Sequence, residues 1–259
     1  MAQKLSKELS NLGCASIVEI HDRNLASEGE MVFTNQDVRE SIIAELATES
    51  HWRAYLNPQI SSLGLSTFMQ LRKLYRNITY RNDKGQRILT RLVNIELAHL
   101  NLMKQALDSG VEWVLIVEDD AQSVDIQNLA ANLANFIKRY SGQIQPSYLN
   151  LSKSFSDERL NTQRLLSRVT KWGLSDNQTL QVYASDRPFT NTVCAILYRR
   201  DFLLELSTRL SAIPLRPVLP IDWKLNKAIL TMVEQGSLGS GDCWTVEPGP
   251  IIQGSMINS

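Results

Sequence analysis

The sequence has few cysteines, no long apolar run and no excess of either charge. Its 259 residues include three cysteines, Cys14, Cys194 and Cys243, an odd and widely spaced set that matches no zinc motif and argues against a disulfide framework. The 27 basic residues are balanced by 27 acidic ones, which excludes a bulk attraction of the whole molecule for nucleic acid or acidic membranes. No stretch approaches the roughly 18 apolar residues of a membrane span, and the first residues lack the apolar core of a secretory signal. We therefore expect a cytoplasmic protein.

The chain alternates strand-like and helix-like segments, without a linker or an internal repeat to divide it. Such alternation predicts one α/β domain over 1–259, with a Rossmann-type mixed, mostly parallel sheet flanked by helices. Strands are predicted at 14–20, 113–117, 147–152, 180–184 and 192–198, and helices at 35–46, 66–76, 85–108, 125–140, 158–171, 202–210 and 222–234. The strands at 180–184 and 192–198 are expected to be neighbours.

An apolar run at 113–117 ends in three adjacent carboxylates, Glu118, Asp119 and Asp120. A short Val- and Ile-rich run is typical of a strand buried on both faces, and α/β sheets bind ligands at the carboxyl ends of such strands. Three crowded acids repel one another unless a cation shares them, which predicts a divalent-metal site. The alternative is an acidic strand end leading into a helix that starts at Asp125.

The same residues also resemble the first strand of a response-regulator receiver, an interpretation that we reject. A receiver places its phosphoacceptor aspartate after a later strand, whereas the candidate strand at 148–151 ends without a carboxylate. No Lys-Pro pair follows downstream, and more than a hundred residues precede the acidic strand, which opens the domain in a receiver.

A set of motifs along the chain resembles glycosyltransferase family 25, the lipooligosaccharide and collagen galactosyltransferase group. In that family a helix ending in Ser-His-Leu precedes a strand ending in Glu-Asp-Asp, which serves as its Asp-x-Asp metal motif. The matching segments are Ala98–Leu100, Glu118–Asp120, Asn191–Arg200, Pro220–Trp223 and Pro250–Ser255, in the family's order. The chain departs from the family at Leu92–Glu96, where the family has Gly-Glu-Ile-Gly-Cys. Its segment 18–23 matches the family's N-terminal strand only approximately.

The resemblance implies a GT-A-like glycosyltransferase with a nucleotide-side half at 1–88 and a family-like region at 89–259. Such an enzyme moves a hexose, with galactose as the specific option, from a nucleotide-diphosphate sugar such as a UDP-sugar to a glycan or lipid-linked glycan. The resemblance further implies dependence on Mn²⁺ or Mg²⁺, an inverting displacement and a place in lipopolysaccharide biosynthesis.

Four residues near the acidic strand end receive expected roles in binding metal and donor. Asp120 is the first choice as metal ligand, and Glu118 shares its side of an extended strand, where it binds the metal or the donor ribose. Asp119 is expected to point to the opposite side of the strand, where it would contact the nucleotide or cap the next helix. The family match directs His99 towards the donor pocket, although a lone histidine on an apolar helix is more often a packing residue.

The remaining candidates lie on the acceptor side. Asp222, at a predicted helix start, is the candidate base for the acceptor hydroxyl, with a pKa that the helix N-terminus should lower. Trp223 beside it would stack on a sugar ring, and Gln253 belongs to the closing motif that we assign to sugar binding. The alternative for Asp222 and Trp223 is a helix cap beside a core tryptophan.

A local basic run stands out in this neutral chain: Arg72, Lys73, Arg76, Arg81, Lys84, Arg87 and Arg91. It would bind the donor diphosphate, contact an acidic glycolipid or the inner face of the membrane, or form a solvated helix face.

Two rival functions for the whole protein stay open at this point. One is a non-catalytic sugar-nucleotide-binding or scaffold protein, and the other is a metal-dependent nucleotide-sugar phosphohydrolase.

Overall fold

The computed structural model describes residues 1–14, 32–56, 61–79, 83–123, 125–152, 168–173, 179–185, 190, 192–239 and 241–254. Within these ranges the chain is mixed α/β. The helices are α1 Ala2–Asn11, α2 Asn35–Leu56, α3 Ser62–Thr79, α4 Asp83–Asp108, α5 Ile126–Tyr140, α6 Arg200–Ala212 and α7 Ile221–Glu234. The strands are β1 Trp113–Val117, β2 Ala121–Ser123, β3 Tyr148–Asn150, β4 Arg168–Gly173, β5 Thr179–Ser185, β6 Ala195–Arg199, β7 Cys243–Glu247 and β8 Ile251–Gln253.

The main sheet has six strands in the order β1-β6-β3-β7-β5-β4, and β2 pairs with β8 in a separate ribbon. The predicted α/β class is confirmed, but a mostly parallel sheet is not what the described strands form. Among them only β3 and β7 pair in parallel, and the other pairings are antiparallel. The reason is the position of two strands. The strand β6 lies between β1 and β3 and runs opposite to both, and β5 lies between β7 and β4 and runs opposite to both.

Local patterns predicted most elements, and long-range pairing corrects two of the predictions. The strands β5 and β6 are not neighbours, since β5 pairs with β4 and β7 while β6 pairs with β1 and β3. Residues 168–171, predicted as the end of a helix, lie in β4, and the rest of that prediction lies outside the described residues. The predicted strand at 14–20 also lies outside them, apart from Cys14. The elements α1, β2, β7 and β8 were not predicted.

Helix ends follow their local chemistry. The N-cap of α5 is Asp125, whose Oδ1 accepts a hydrogen bond from the backbone N–H of Asn128 at 3.1 Å, so the cap is not Asp119. The helix α4 ends just before Gly110, whose φ of 72° is the left-handed conformation that favours glycine after a helix. These local signals explain why both helices start and stop close to where the sequence predicts.

Helices cover both faces of the sheet around β1. Leu115 packs into an apolar cluster with α1 and α5, whereas Val114 and Ile116 pack into a second cluster with α4, α6 and α7. The alternation of side chains along a strand sends successive residues to opposite faces, so a strand buried on both sides is apolar throughout. The chain therefore leaves the apolar core directly after the last residue of β1, at the carboxyl end of that strand.

No helix in the described part of the chain combines the length and the apolar character needed to cross a bilayer.

Candidate functional site

The acidic end of β1 lies next to the start of β6. The antiparallel register pairs Val117 with Ala195, and the ladder continues one step further, where the N–H of Glu118 donates to the carbonyl of Cys194 at 2.8 Å. The N–H of Ala121 then donates to the carbonyl of Glu118 at 3.1 Å and closes a turn. This turn, rather than an extended strand, brings the side chains of Glu118 and Asp120 together, while Asp119 is exposed.

Three side chains could hold a metal ion at this point. A carboxylate oxygen of Glu118, one of Asp120 and the sulfur of Cys194 all lie within 4.8 Å of one another. Glu118 and Asp120 are half-buried and Cys194 is buried. Sequence reasoning missed Cys194, because the antiparallel insertion of β6 alone brings it to this edge.

The electrostatics of the cluster suit a bound cation. The Oδ1 atom of Asp120 is buried, and the described residues supply it with no hydrogen-bond partner. A buried acceptor without a partner costs about 1–3 kcal/mol, and more when it is charged. The pKa of the Cys194 thiol is raised to about 12, mainly by burial and in smaller part by the negative charges of Glu118 and Asp120. The two carboxylates therefore provide the hard oxygen ligands that Mn²⁺ or Mg²⁺ prefers, next to a neutral thiol.

The C-terminal segment packs directly on the acidic turn. The ribbon of β2 and β8 pairs Ala121 with Gln253, and the Nε2 atom of Gln253 donates to Glu118 Oε2 at 3.1 Å. The N–H of Gly254 donates to the carbonyl of Asp120 at 2.9 Å. A Cβ at position 254 would lie 2.7 Å from that oxygen, so the close approach requires glycine. Gln253, predicted to bind sugar, thus contacts the candidate metal ligand Glu118 and restricts its orientation.

His99 reaches the same cluster from α4. It is buried, and its Nε2 atom lies 3.7 Å from Glu118 Oε1, beyond hydrogen-bond distance. Its Nδ1 atom is also buried and has no hydrogen-bond partner within the described ranges. A packing histidine would normally satisfy its ring nitrogens, so this arrangement favours a polar ligand beside His99.

Asp222 lies in the first turn of α7, where it is half-buried. Burial raises the pKa of its carboxyl from 3.8 to about 7, against the backbone N–H groups of Trp223 and of Asp222 itself, which lower it. The negative charges of Glu118 and Glu45 raise the pKa further. The predicted lowering of the pKa by the helix N-terminus is therefore wrong in sign, because burial outweighs it. A carboxyl that titrates near neutrality is well matched to general-base catalysis. Trp223 is half-buried beside it.

The pKa of Asp222 leads to a prediction about stability. Because the folded protein holds this proton more tightly than the unfolded chain, the associated stability is fully present below about pH 4 and is lost as the pH rises through about 7. We expect Asp222→Asn to be more stable than wild type at pH 8, by about 1–2 kcal/mol after allowance for solvent screening, and the gap to narrow at pH 5. Urea unfolding at both pH values measures this difference. A gap that does not change with pH would contradict it, and Asp201→Asn, at an exposed carboxylate, is the control.

An ion pair buried in the core joins the helices that carry His99 and Asp222. The Nζ atom of Lys224 on α7 lies 2.7 Å and 2.6 Å from the two carboxylate oxygens of Glu96 on α4, and it also donates to the carbonyl of Pro214 at 3.2 Å. Both side chains are almost fully buried. Burial raises the pKa of Glu96, although Lys224 opposes the shift. The sequence analysis assigned no function to either member of this pair. The position of Glu96 on the apolar face of α4 was the one sequence feature that could have indicated a buried ion pair.

The residues of the basic run do not form one surface beside the cluster of Glu118, Asp120 and Cys194. Arg72 Nε lies 2.7 Å from Glu49 Oε2, and Arg76 pairs with Glu45, so both guanidinium groups face α2. These two residues are therefore neither a free diphosphate cradle nor a solvated face. Lys73, Arg87 and Arg91 are exposed. Arg81 and the side chain of Lys84 lie outside the described residues.

No protein-family model matches the chain, and no curated protein matches it at a significant level. The resemblance to glycosyltransferase family 25 therefore depends on the motifs themselves.

Proposed function

We propose that the protein is a metal-dependent glycosyltransferase that moves a hexose from a nucleotide-diphosphate sugar, with a UDP-sugar as the first choice, to a glycan or lipid-linked glycan. One observation carries this proposal. The buried Oδ1 atom of Asp120, which lacks a hydrogen-bond partner among the described residues, lies beside Glu118 at the end of β1. The family resemblance assigns its Asp-x-Asp metal motif to the same residues.

The direction of the strands supports a GT-A-like arrangement. The strands β1, β3 and β7 run in the same direction, because β6 is antiparallel to β1 and β3 while β3 and β7 are parallel. Ligands of open α/β sheets bind beyond the carboxyl ends of such strands. The acidic turn stands at this end of β1, which is where a donor diphosphate would meet its cation.

In the proposed reaction Asp120 and Glu118 would hold Mn²⁺ or Mg²⁺, with Gln253 orienting Glu118. When bound, the cation neutralises the charge that develops on the leaving nucleoside diphosphate. His99, with an unsatisfied buried nitrogen, would donate a hydrogen bond to a donor oxygen.

Asp222 would act as the base. Its carboxylate would accept the proton of the acceptor hydroxyl as that oxygen attacks the anomeric carbon, in a single inverting displacement. A pKa of about 7 leaves a large fraction of the group ionised at neutral pH while keeping it basic enough to accept a proton. Trp223, its neighbour on α7, would offer an aromatic face to the acceptor sugar.

Calorimetric titration with a panel of nucleoside diphosphates, with and without Mn²⁺, tests the proposal. We expect one nucleotide to bind, and its affinity to depend on the metal. Donor consumption is then measured with and without a glycan acceptor, since a phosphohydrolase would cleave the donor equally well without one. Nucleotide binding without turnover of any donor would support the scaffold alternative. Failure of every nucleotide to bind would contradict the proposed function.

A further inference from the structure

A buried thiol lies at the acidic turn. The Sγ atom of Cys194 lies within 4.8 Å of a carboxylate oxygen of Glu118 and of one of Asp120. Two backbone hydrogen bonds hold Cys194 in this position. Its carbonyl accepts the N–H of Glu118 at 2.8 Å, and its own N–H donates to the Oγ1 atom of Thr192 at 3.2 Å. Because the side chain is fully buried, it stays beside the two carboxylates.

The surroundings of Cys194 differ from those of an ordinary core cysteine. A buried cysteine usually behaves as a small apolar side chain among other apolar groups. Cys243 in β7 fits that description, since it belongs to an apolar cluster and to no group of possible metal ligands among the described residues. Cys194 is buried to a similar degree, but it faces two acids as well as apolar neighbours. Its position therefore suits a metal ligand as well as a packing residue.

Independent evidence for a ligand comes from two buried atoms that lack hydrogen-bond partners in the described part of the chain. One is Oδ1 of Asp120, and the other is Nδ1 of His99. His99 is 5% exposed, and its Nε2 atom lies 3.7 Å from Glu118 Oε1. Buried polar atoms are normally satisfied, so these two atoms indicate a bound ion or water beside the acidic turn. Carboxylate, imidazole and thiol groups together are the ligand types that proteins use for Zn²⁺.

We propose that Cys194 is a third protein ligand of the cation site, and that its sulfur makes the site prefer thiophilic divalent cations such as Zn²⁺ to Mg²⁺. Thiolate sulfur is a good ligand for Zn²⁺, whereas Mg²⁺ binds through oxygen. Glu118 and Asp120 serve both kinds of cation, so the difference between them comes from Cys194. On coordination a bond from sulfur to the metal replaces the S–H bond, and the proton passes to solvent.

The distances allow one ion to contact all three side chains. In a tetrahedral site with Zn–O bonds of about 2.1 Å and Zn–S bonds of about 2.3 Å, two ligand atoms lie about 3.4–3.6 Å apart. The three donor atoms of Glu118, Asp120 and Cys194 already lie within 4.8 Å of one another. Because the two carboxylates are only half-buried, they can make the remaining movement, on the order of 1 Å, by side-chain rotation.

This inference rests on the proposed function for the place where the cation acts, and it adds the choice of cation. Zn²⁺ should compete with Mn²⁺ for the site, since both would use Glu118 and Asp120. The test uses cations alone, without nucleotide, so that its outcome is separate from that of the nucleotide titration.

Calorimetric titration of the full chain with Mg²⁺, Mn²⁺ and Zn²⁺ measures the preference. We expect wild type to bind Zn²⁺ at least about 100-fold more tightly than Mg²⁺. Cys194→Ser, which puts an oxygen in place of the sulfur, should lower the affinity for Zn²⁺ about 10- to 100-fold and that for Mg²⁺ less than about threefold. The matched control is Cys243→Ser, which also replaces a buried thiol and should keep both affinities.

Cd²⁺ reports on the sulfur itself, because a thiolate bound to Cd²⁺ gives an ultraviolet charge-transfer band that oxygen ligands do not give. We expect a band that saturates at one equivalent of Cd²⁺ in wild type, in Cys243→Ser and in Cys14→Ser, which removes a partly exposed thiol outside the cluster. The band should be absent from Cys194→Ser. Asp120→Asn keeps the thiol and should shift the Cd²⁺ titration to an at least about tenfold higher concentration, which tests the proposal even where Cys194→Ser does not fold.

The inference is overturned if Cys194→Ser keeps the wild-type affinity for Zn²⁺, or if the Cd²⁺ band survives in that variant. Should nucleotides then still bind with Mn²⁺, the proposed function stands and only the role of Cys194 is contradicted. If Cys194→Ser loses Zn²⁺ while wild type binds no nucleotide, the cation site is supported and the proposed transferase is contradicted. Failure of wild type to bind any cation contradicts both. Circular dichroism checks that each variant keeps the helical content of wild type.

Discussion

Replacing Asp120 by asparagine should lower metal affinity and abolish most glycosyl transfer, with a fall on the order of 10²–10³-fold in turnover. The substitution keeps the shape of the side chain and removes the negative charge that pairs with the proposed cation. Calorimetry with Mn²⁺ alone gives the metal affinity, and release of the nucleoside diphosphate gives the turnover.

The same substitution should raise the stability of the metal-free protein. The Oδ1 atom of Asp120 is buried without a partner among the described residues and lies near the carboxylate of Glu118. Removal of its charge relieves that repulsion, by about 1 kcal/mol for a half-buried group. We therefore expect the metal-free Tm to rise and the Tm increase caused by Mn²⁺ to disappear. A gain in stability together with a loss of activity identifies Asp120 as a metal ligand, because replacing a structural residue would lower the stability as well.

The control for this experiment is Asp201→Asn, which removes one exposed carboxylate at the start of α6. It should keep the metal affinity, the turnover and the Mn²⁺-dependent Tm of wild type. An Asp120→Asn protein that retains the full Tm increase with Mn²⁺ would show that the cation binds elsewhere. The acidic turn would then be only a charged strand end.

Replacing Lys224 by methionine should give the largest loss of stability, about 3–5 kcal/mol. The substitution leaves Glu96 buried, without the ammonium group that lies 2.6 Å and 2.7 Å from its two oxygens. The carboxyl would then take up a proton or admit water, and either response separates α4 from α7. Urea unfolding at neutral pH measures the loss, and the deficit should shrink at acidic pH, where Glu96 is protonated at less cost.

Two further variants show whether the pair itself is responsible. Lys227→Met removes an exposed lysine one turn away on the same helix and should change the free energy of unfolding by less than about 0.5 kcal/mol. The double variant Glu96→Met/Lys224→Met removes both buried charges and should recover most of the loss. A double variant as unstable as Lys224→Met would mean that packing, rather than the unpaired charge, determines the result.

The acidic end of β1 and the helices around it could be predicted because their signals are local. Five apolar residues followed by Glu118 predict a strand and its carboxyl end. Asp125 marks a helix start because its side chain accepts a hydrogen bond from the N–H of Asn128, and Gly110 marks a helix end through its left-handed backbone conformation. The apolar periodicity of α4 likewise predicts its length, since one face of the helix meets the core. The predicted GT-A-like transferase and the roles of Asp120, Glu118, Asp222 and His99 remain predictions that the experiments above test.

Pairing between distant segments could not be predicted. Alternation of strands and helices favours a parallel sheet, and no local pattern indicates that β6 inserts between β1 and β3. That insertion brings Cys194 beside Glu118 and Asp120. The partners of Arg72 and Arg76 are likewise long-range, since the buried carboxylates that bind them are on another helix.

The sequence by itself determined where the acidic residues, the capped helices and the apolar strand would be, because each depends on neighbours within a few residues. Only the tertiary structure decided the direction of β6, the pairing of Lys224 with Glu96 and the burial of Asp222. Burial is a property of everything packed around a group, and it raises the pKa of Asp222 to about 7 where the helix N-terminus alone would have lowered it.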